Sequence, residues 1–250
     1  MLLVSVTPTQ AATIGDKTRY FTSTTAVTGI QGHFSTAVSA SLPVQTFTQD
    51  FYEEMRIAGS CMVAFVNLHK SVGFQATHSF GFANVCNGTT PYFRDTLSNT
   101  AFRDIYVRTL SYTEPAGSVG SRTISDETLI ARIAKNASGN WDGYLFNHST
   151  GVWDLKVTIT GNAASDTYVS VYSYNDSVPT ACSTLGTYGH LSIWDTKLQR
   201  GLGGAYNLVQ FSDVDTLVSN TMHCVNTTSN PWQFSNISPA DDLIVRTPAA

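Results

Sequence analysis

Over residues 153–160 the chain alternates without a break: Trp153, Leu155, Val157 and Ile159 against Asp154, Lys156, Thr158 and Thr160. A period of two puts successive side chains on opposite faces of a strand, so this stretch predicts one buried and one wet face. Gly161-Asn162 breaks the pattern, and 168–174 resumes it with Val169 and Val171 on one side. Further strands are predicted over 61–66, 105–110, 190–194, 205–211 and 243–245, with Pro179 and Gly186 bracketing a loop. The expected core face carries Trp153, Leu155, Val157, Ile159, Val169, Val171 and Trp194. Two segments read as short helices instead. In 46–56, Phe47, Phe51 and Met55 recur every fourth residue behind a Thr46/Gln49 capping box. In 125–136, Ser125 is a good N-cap, and Leu129, Ile130 and Ile133 form a stripe. Residues 1–44 are polar and weakly patterned and read as an extended N-terminal arm, ordered by neighbouring subunits, before a domain over 45–250. Many short strands with two helices predict an all-β antiparallel sandwich with crossover connections.

Composition supports that class. Charged residues are only 13%, aromatics reach 11%, and Thr, Ser, Asn and Gly abound, a mixture suited to pleated strands and polar turns rather than helical bundles. Fourteen Lys and Arg face eighteen Asp and Glu with no basic run, so any nucleic-acid contact is sparse. No apolar run reaches membrane-spanning length, and 1–6 is too short for a signal peptide. Cys61, Cys86, Cys182 and Cys224 lack metal-site spacing and are too few for a disulfide scaffold, which predicts buried free thiols. Six Asn-x-Ser/Thr triplets, including those at Asn136 and Asn147, are expected by chance in so Asn- and Ser-rich a chain.

Catalytic signatures are missing from the pattern. There is no nucleophile elbow, no His-Glu-x-x-His and no phosphate-cradling glycine loop. The six histidines are scattered; His223 beside Cys224 would point to opposite strand faces. Asp241-Asp242 is the one paired carboxylate in a predicted loop, read first as a turn cap. No cofactor and no metal is called for, and the expectation is a non-enzyme.

The segment 153–160, then 168–174 closing on Pro179, resembles a pair of central strands in picornavirus-like capsid proteins. Gly189-His190-Leu191-Ser192-Ile193-Trp194-Asp195-Thr196-Lys197-Leu198-Gln199 is similar to their Gly-x-His-x-x-x-Trp-Asp-x-x-Leu-Gln segment, and 238–248 to their closing strand, with Leu243 where Phe is usual. The resemblance implies an eight-stranded jelly roll serving as structural subunit of a non-enveloped icosahedral RNA-virus shell. It implies partners that are other capsid subunits, an RNA genome enclosed with few basic contacts, a host receptor, and assembly in the host cytoplasm. In that reading Trp153, Trp194, Asp195, Leu198 and Gln199 form a packing-and-turn motif, with Trp194 filling the core. In some picorna-like insect viruses a paired acid before the last strand is implicated in cleaving a precursor inside the assembled shell, a minor role that the resemblance carries to Asp241 and Asp242. The alternative is a secreted β-sandwich that binds carbohydrate or acts as an adhesin, favoured by the Tyr, Trp and Asn content.

Overall fold

The computed structural model describes residues 12–21, 26–36, 49–70, 77–86, 91–117, 120–161, 167–175, 191–210, 213–220, 233–234 and 243–246. Two antiparallel sheets form a sandwich. The first is built from β1 (Ala12–Phe21), β3 (Gln49–Arg56), β4 (Met62–Lys70), β5 (Thr77–Asn84), β6 (Pro91–Thr96), β11 (Tyr168–Asn175) and β14 (Val214–Asn220), in the order β14-β1-β11-β3-β4-β5-β6. The second contains β2 (Val27–Ser35), β8 (Gly120–Lys135), β9 (Trp141–Asn147), β10 (Val152–Ile159), β12 (Leu191–Arg200), β15 (Gln233–Phe234) and β16 (Leu243–Arg246), in the order β10-β9-β8-β2-β12-β16-β15. β7 (Val107–Gly117) pairs with β8, and β13 (Tyr206–Leu208) pairs with β12. The all-β sandwich stands, with sixteen strands among the described residues where eight were expected.

Alternation along each strand makes the core. Ile30 and Phe34 of β2, Leu129, Ala131 and Ile133 of β8, and Ile193 and Leu198 of β12 face Met55, Ala64, Val66, Phe80, Phe82 and Val169 from the other sheet. Phe34 and Phe80 meet edge-on across the layers at 5.9 Å between ring centroids. Truncating either to Ala would cost about 3–5 kcal/mol. At one end of the first sheet Cys61 and Cys86 are joined by a disulfide, with their Cα atoms 5.4 Å apart. The expectation of free thiols fails for this pair because antiparallel pairing of β4 with β5 sets Met62 opposite Asn84, which leaves Cys61 one residue and Cys86 two residues beyond that pair and within bonding range. Cys182 and Cys224 lie outside the described residues.

Three local expectations are corrected. Gln49–Arg56 is strand β3, not a helix: a repeat of four is also an even spacing, which a strand face accommodates as readily as a helical stripe does. Residues 125–135 belong to strand β8, where Leu129, Ala131 and Ile133 face the core while Ile130 turns outward. The one helix among the described residues is α1 (Thr100–Tyr106), capped by Asn99, whose Oδ1 accepts from the amides of Ala101 and Phe102. Residues 12–21 and 27–35, within the expected arm, are strands of the two sheets. β1 lies inside the first sheet and β2 is a central strand of the second, with Ile30 and Phe34 fully buried. Its core signal is weak in sequence because the third inward position is Gly32, where a Cβ would meet Ile193 at 3.0 Å.

The strict alternation of 153–159 also misleads. β10 carries a bulge between Leu155 and Val157, where its register against β9 slips by one residue. Val157 and Ile159 face inward opposite Gly143 and Trp141, but Trp153 and Leu155 pair with the outward Phe146 and Tyr144. Leu155 is consequently 54% exposed. One inserted residue moves all following side chains to the other face. Lys156, at the bulge, and Asp154 hold the Tyr106 hydroxyl, which donates to Asp154 Oδ2 at 2.5 Å and pins α1 to β10.

Candidate functional site

Polar and aromatic side chains concentrate on the face of the second sheet that points away from the core. Reading across β10, β9, β8, β2 and β12, one row runs Leu155, Tyr144, Arg132, Gln31 and Lys197, each set opposite the next. Arg132 is its centre. Its Nε and Nη2 donate to Gln31 Oε1 at 3.3 and 2.7 Å. Its guanidinium carbon lies 3.7 Å from the ring centroid of Trp153, reaching in from β10, and 4.2 Å from that of Tyr206, reaching in from β13 on the opposite side. Such stacking on a half-desolvated cation contributes about 1–2 kcal/mol per ring. Tyr206 can cross β2 because residue 29 is glycine: a Cβ there would stand 2.3 Å from the Tyr206 hydroxyl oxygen.

The groups around Arg132 are neutral. Burial lowers the Arg132 pKa, with Tyr206 and Tyr144 acting against that, and an arginine so placed remains charged at neutral pH. The Tyr144 hydroxyl is pushed up to about 12 by burial and by donating to Asp142 Oδ2 at 2.9 Å. Burial likewise raises Tyr206 to about 12, against the pull of Arg132. Asp142, the carboxylate nearest along the strand, is occupied elsewhere. Its Oδ1 accepts from Asn136 Nδ2 at 3.1 Å and from Thr158 Oγ1 at 2.6 Å. Among the described residues Arg132 has no carboxylate within ion-pair distance, and its Nη1 donates to no described residue.

A second group adjoins the first. His33, two residues along β2 from Gln31, meets Trp194 edge-on at 4.3 Å between centroids, and its Nε2 lies 3.2 Å from Asp195 Oδ2. Lys197 Nζ donates to the same oxygen at 2.8 Å. Burial pushes the Asp195 carboxyl up, but the contacts from His33 and Lys197 outweigh it and hold it below the ordinary range. Asp195 is at φ 51° in a bulge where Asp195 and Thr196 together oppose Gly32, a backbone region unusual for a residue other than glycine.

These positions differ from those expected of the Trp-Asp-x-x-Leu-Gln segment. Trp194 is half-buried on the outer face rather than filling the core, and Asp195 sits inside strand β12 rather than capping a turn after it. Leu198 does enter the core, and Gln199 lies outward with its amide donating to the Gly204 carbonyl at 2.8 Å. Trp153 joins Arg132 rather than the core. Asp241 and Asp242 lie outside the described residues. Gln31, Arg132, Tyr144 and Tyr206 were missed as candidates. The available signal was polar residues at the outward positions of a strand that otherwise packs, which needs the strand assignment of β2 and β8 first. No group of three or more metal-ligating side chains exists among the described residues, and no helix there is long and apolar enough to cross a membrane.

No family model and no curated protein matches the chain. Among solved structures, scytalido-glutamic peptidase with a peptide-based transition-state analog is similar at 8% identity and TM-score 0.43, over 95% of this chain and 100% of that one. SCP-B, a member of the eqolisin family of peptidases in complex with the tripeptide Ala-Ile-His, is similar at 7% and 0.41 over the same shares. The CBM2 module of the evolved Dit of Lactobacillus casei BL23 phage J-1 is similar at 13% and 0.33, over 61% of this chain and 55% of that one. The expectation of a non-enzyme is withdrawn. That expectation rested on missing sequence motifs alone, and a missing motif decides nothing about activity. At these identities and TM-scores the likeness assigns neither an activity nor a catalytic residue.

Proposed function

We propose that this chain is a binding module that takes a glycan on the outer face of the second sheet, around Arg132. The observation that carries the reading is the cluster of Trp153, Tyr144 and Tyr206 interleaved with Gln31, Gln199 and Arg132 on six adjacent strands. Sugars offer apolar C–H faces and a rim of hydroxyls. Aromatic rings accept the first, and planar amide, guanidinium and phenol groups set on rigid strands accept the second. Both tyrosines keep their protons at neutral pH and so add no negative charge beside Arg132. The Cys61–Cys86 bond supports an oxidising compartment, where surface glycans are met.

The test is binding of the folded protein to an immobilised panel of neutral and acidic oligosaccharides. Trp153→Ala and Tyr144→Ala should each weaken retention about tenfold or more, while Tyr92→Ala, an exposed aromatic on the first sheet, should not. Absence of retention on every glycan, or equal retention by all three variants, overturns the proposal. The shell-subunit reading stays second, carried by the resemblance of 153–199 and 238–248. A particle of megadalton mass in light scattering would favour it over a binding module, and a stable monomer would count against it.

A further inference from the structure

The geometry points to a carboxylate-bearing sugar, such as a uronate or sialate residue, as the ligand group that Arg132 receives; this rests on the glycan reading above. A half-buried guanidinium costs desolvation energy, which an opposite charge normally offsets. Here Gln31 and two aromatic rings fix the cation without neutralising it, and Asp142 is saturated by Asn136, Thr158 and Tyr144. The nearby Asp195 is engaged as well, since Lys197 and His33 both contact it. One positive charge is therefore left over, held rigidly.

The shape of the slot selects among anions. Trp153 covers the guanidinium from the β10 side and Tyr206 from the β13 side, and Gln31 takes the edge formed by Nε and Nη2. Approach is left along the guanidinium plane, toward Nη1. A planar carboxylate can enter edge-on in that plane and form charge-assisted bonds, whereas a tetrahedral sulfate or phosphate projects oxygens above and below it, into the rings. Beside this slot the Tyr144 hydroxyl is committed to Asp142, and the Tyr206 hydroxyl is buried without a hydrogen-bond partner among the described residues.

The experiment compares five probes on the intact protein by titration calorimetry: a trigalacturonate, a sialylated trisaccharide, the methyl ester of each, and a sulfated oligosaccharide of similar length. The wild type should bind one of the carboxylate probes, bind its methyl ester about tenfold or more weakly, and bind the sulfated probe no better than the ester. Arg132→Gln should bind acid and ester equally, and Arg132→Lys should retain part of the preference. Should Arg132→Gln fail to fold, the acid-to-ester ratio of the wild type decides. Equal binding of acid and ester, equal binding of sulfate and carboxylate, or a preference that survives in Arg132→Gln overturns the carboxylate assignment. If the neutral glycans of the panel above are still retained, the glycan reading stands and this inference alone falls. If no glycan, neutral or acidic, is bound, both fall.

Discussion

His78 makes the stability of the sandwich depend on mild acid. It stands opposite Leu68 at the end of β5, its carbonyl accepts from the Leu97 amide at 2.7 Å, and its buried Nε2 has no hydrogen-bond partner among the described residues. Burial, with Arg103 nearby adding repulsion, lowers its pKa from 6.5 to about 4. The native ring therefore stays neutral while the unfolded chain takes up a proton below pH 6.5. Proton uptake by the unfolded state pulls the equilibrium toward it, so stability is flat above about 6.5 and falls as pH drops toward 4. Each pH unit of that gap is worth about 1.4 kcal/mol, about 3 kcal/mol over the whole. The residue keeps a partly exposed edge, so solvent screening reduces the figure to about 2 kcal/mol. The assay is urea unfolding followed by tryptophan fluorescence at pH about 7, 5.5 and 4.5, for the wild type and for His78→Gln. Carboxylates titrate alike in both proteins, so the difference between their curves isolates residue 78. The stability of wild type minus variant should decrease by about 2 kcal/mol from the highest pH to the lowest. Parallel curves would show that the ring is protonated in the native state and would refute the reasoning.

Two further outcomes follow from the packing. Replacing Cys61 and Cys86 together by Ala releases a cross-link of sequence separation 25, which should lower stability by about 3 kcal/mol and the melting temperature by roughly 6–12 °C; an unchanged melt would show that the bond contributes nothing. Gly161→Ala would place a Cβ 2.3 Å from Trp141 Cδ1 and 2.4 Å from the Gly59 carbonyl oxygen, and should destabilise by about 1–3 kcal/mol in thermal or urea unfolding, with a neutral result refuting the closeness of that contact.

The class of fold was legible in the chain because alternation, turn residues and a low charge content all agree on paired strands. Individual faces were less so. In β10 the alternation of Trp153, Leu155, Val157 and Ile159 is continuous in sequence, yet the bulge at Lys156 divides it between two faces, and nothing in the pattern of apolar residues announces an unpaired one. In β3 and β8 the spacing of four fitted helix and strand equally, and tertiary pairing decided between them. β2 was hidden because Gly32 occupies an inward position while Gln31 and His33 fill outward ones, so a core strand has the composition of a polar segment. The candidate site was illegible for the same reason. Its centre joins Gln31 to Arg132 across 101 positions of sequence, and their meeting is a property of strand register, not of any local motif.

The disulfide also has a meaning for the surroundings in which the chain can persist. Cys61 and Cys86 bracket β4 and β5, two interior strands of the first sheet, so the bond tethers a central hairpin even when the rest of the chain has come apart. Its state is set by exchange with ambient thiols, and a change of 30 mV in their potential alters the balance by about 1.4 kcal/mol. The conformational equilibrium of the whole sandwich is thereby coupled to the redox poise outside it. Material made in a reducing cytoplasm and material made in an oxidising medium would have the same sequence and the same strands, but different lifetimes against unfolding.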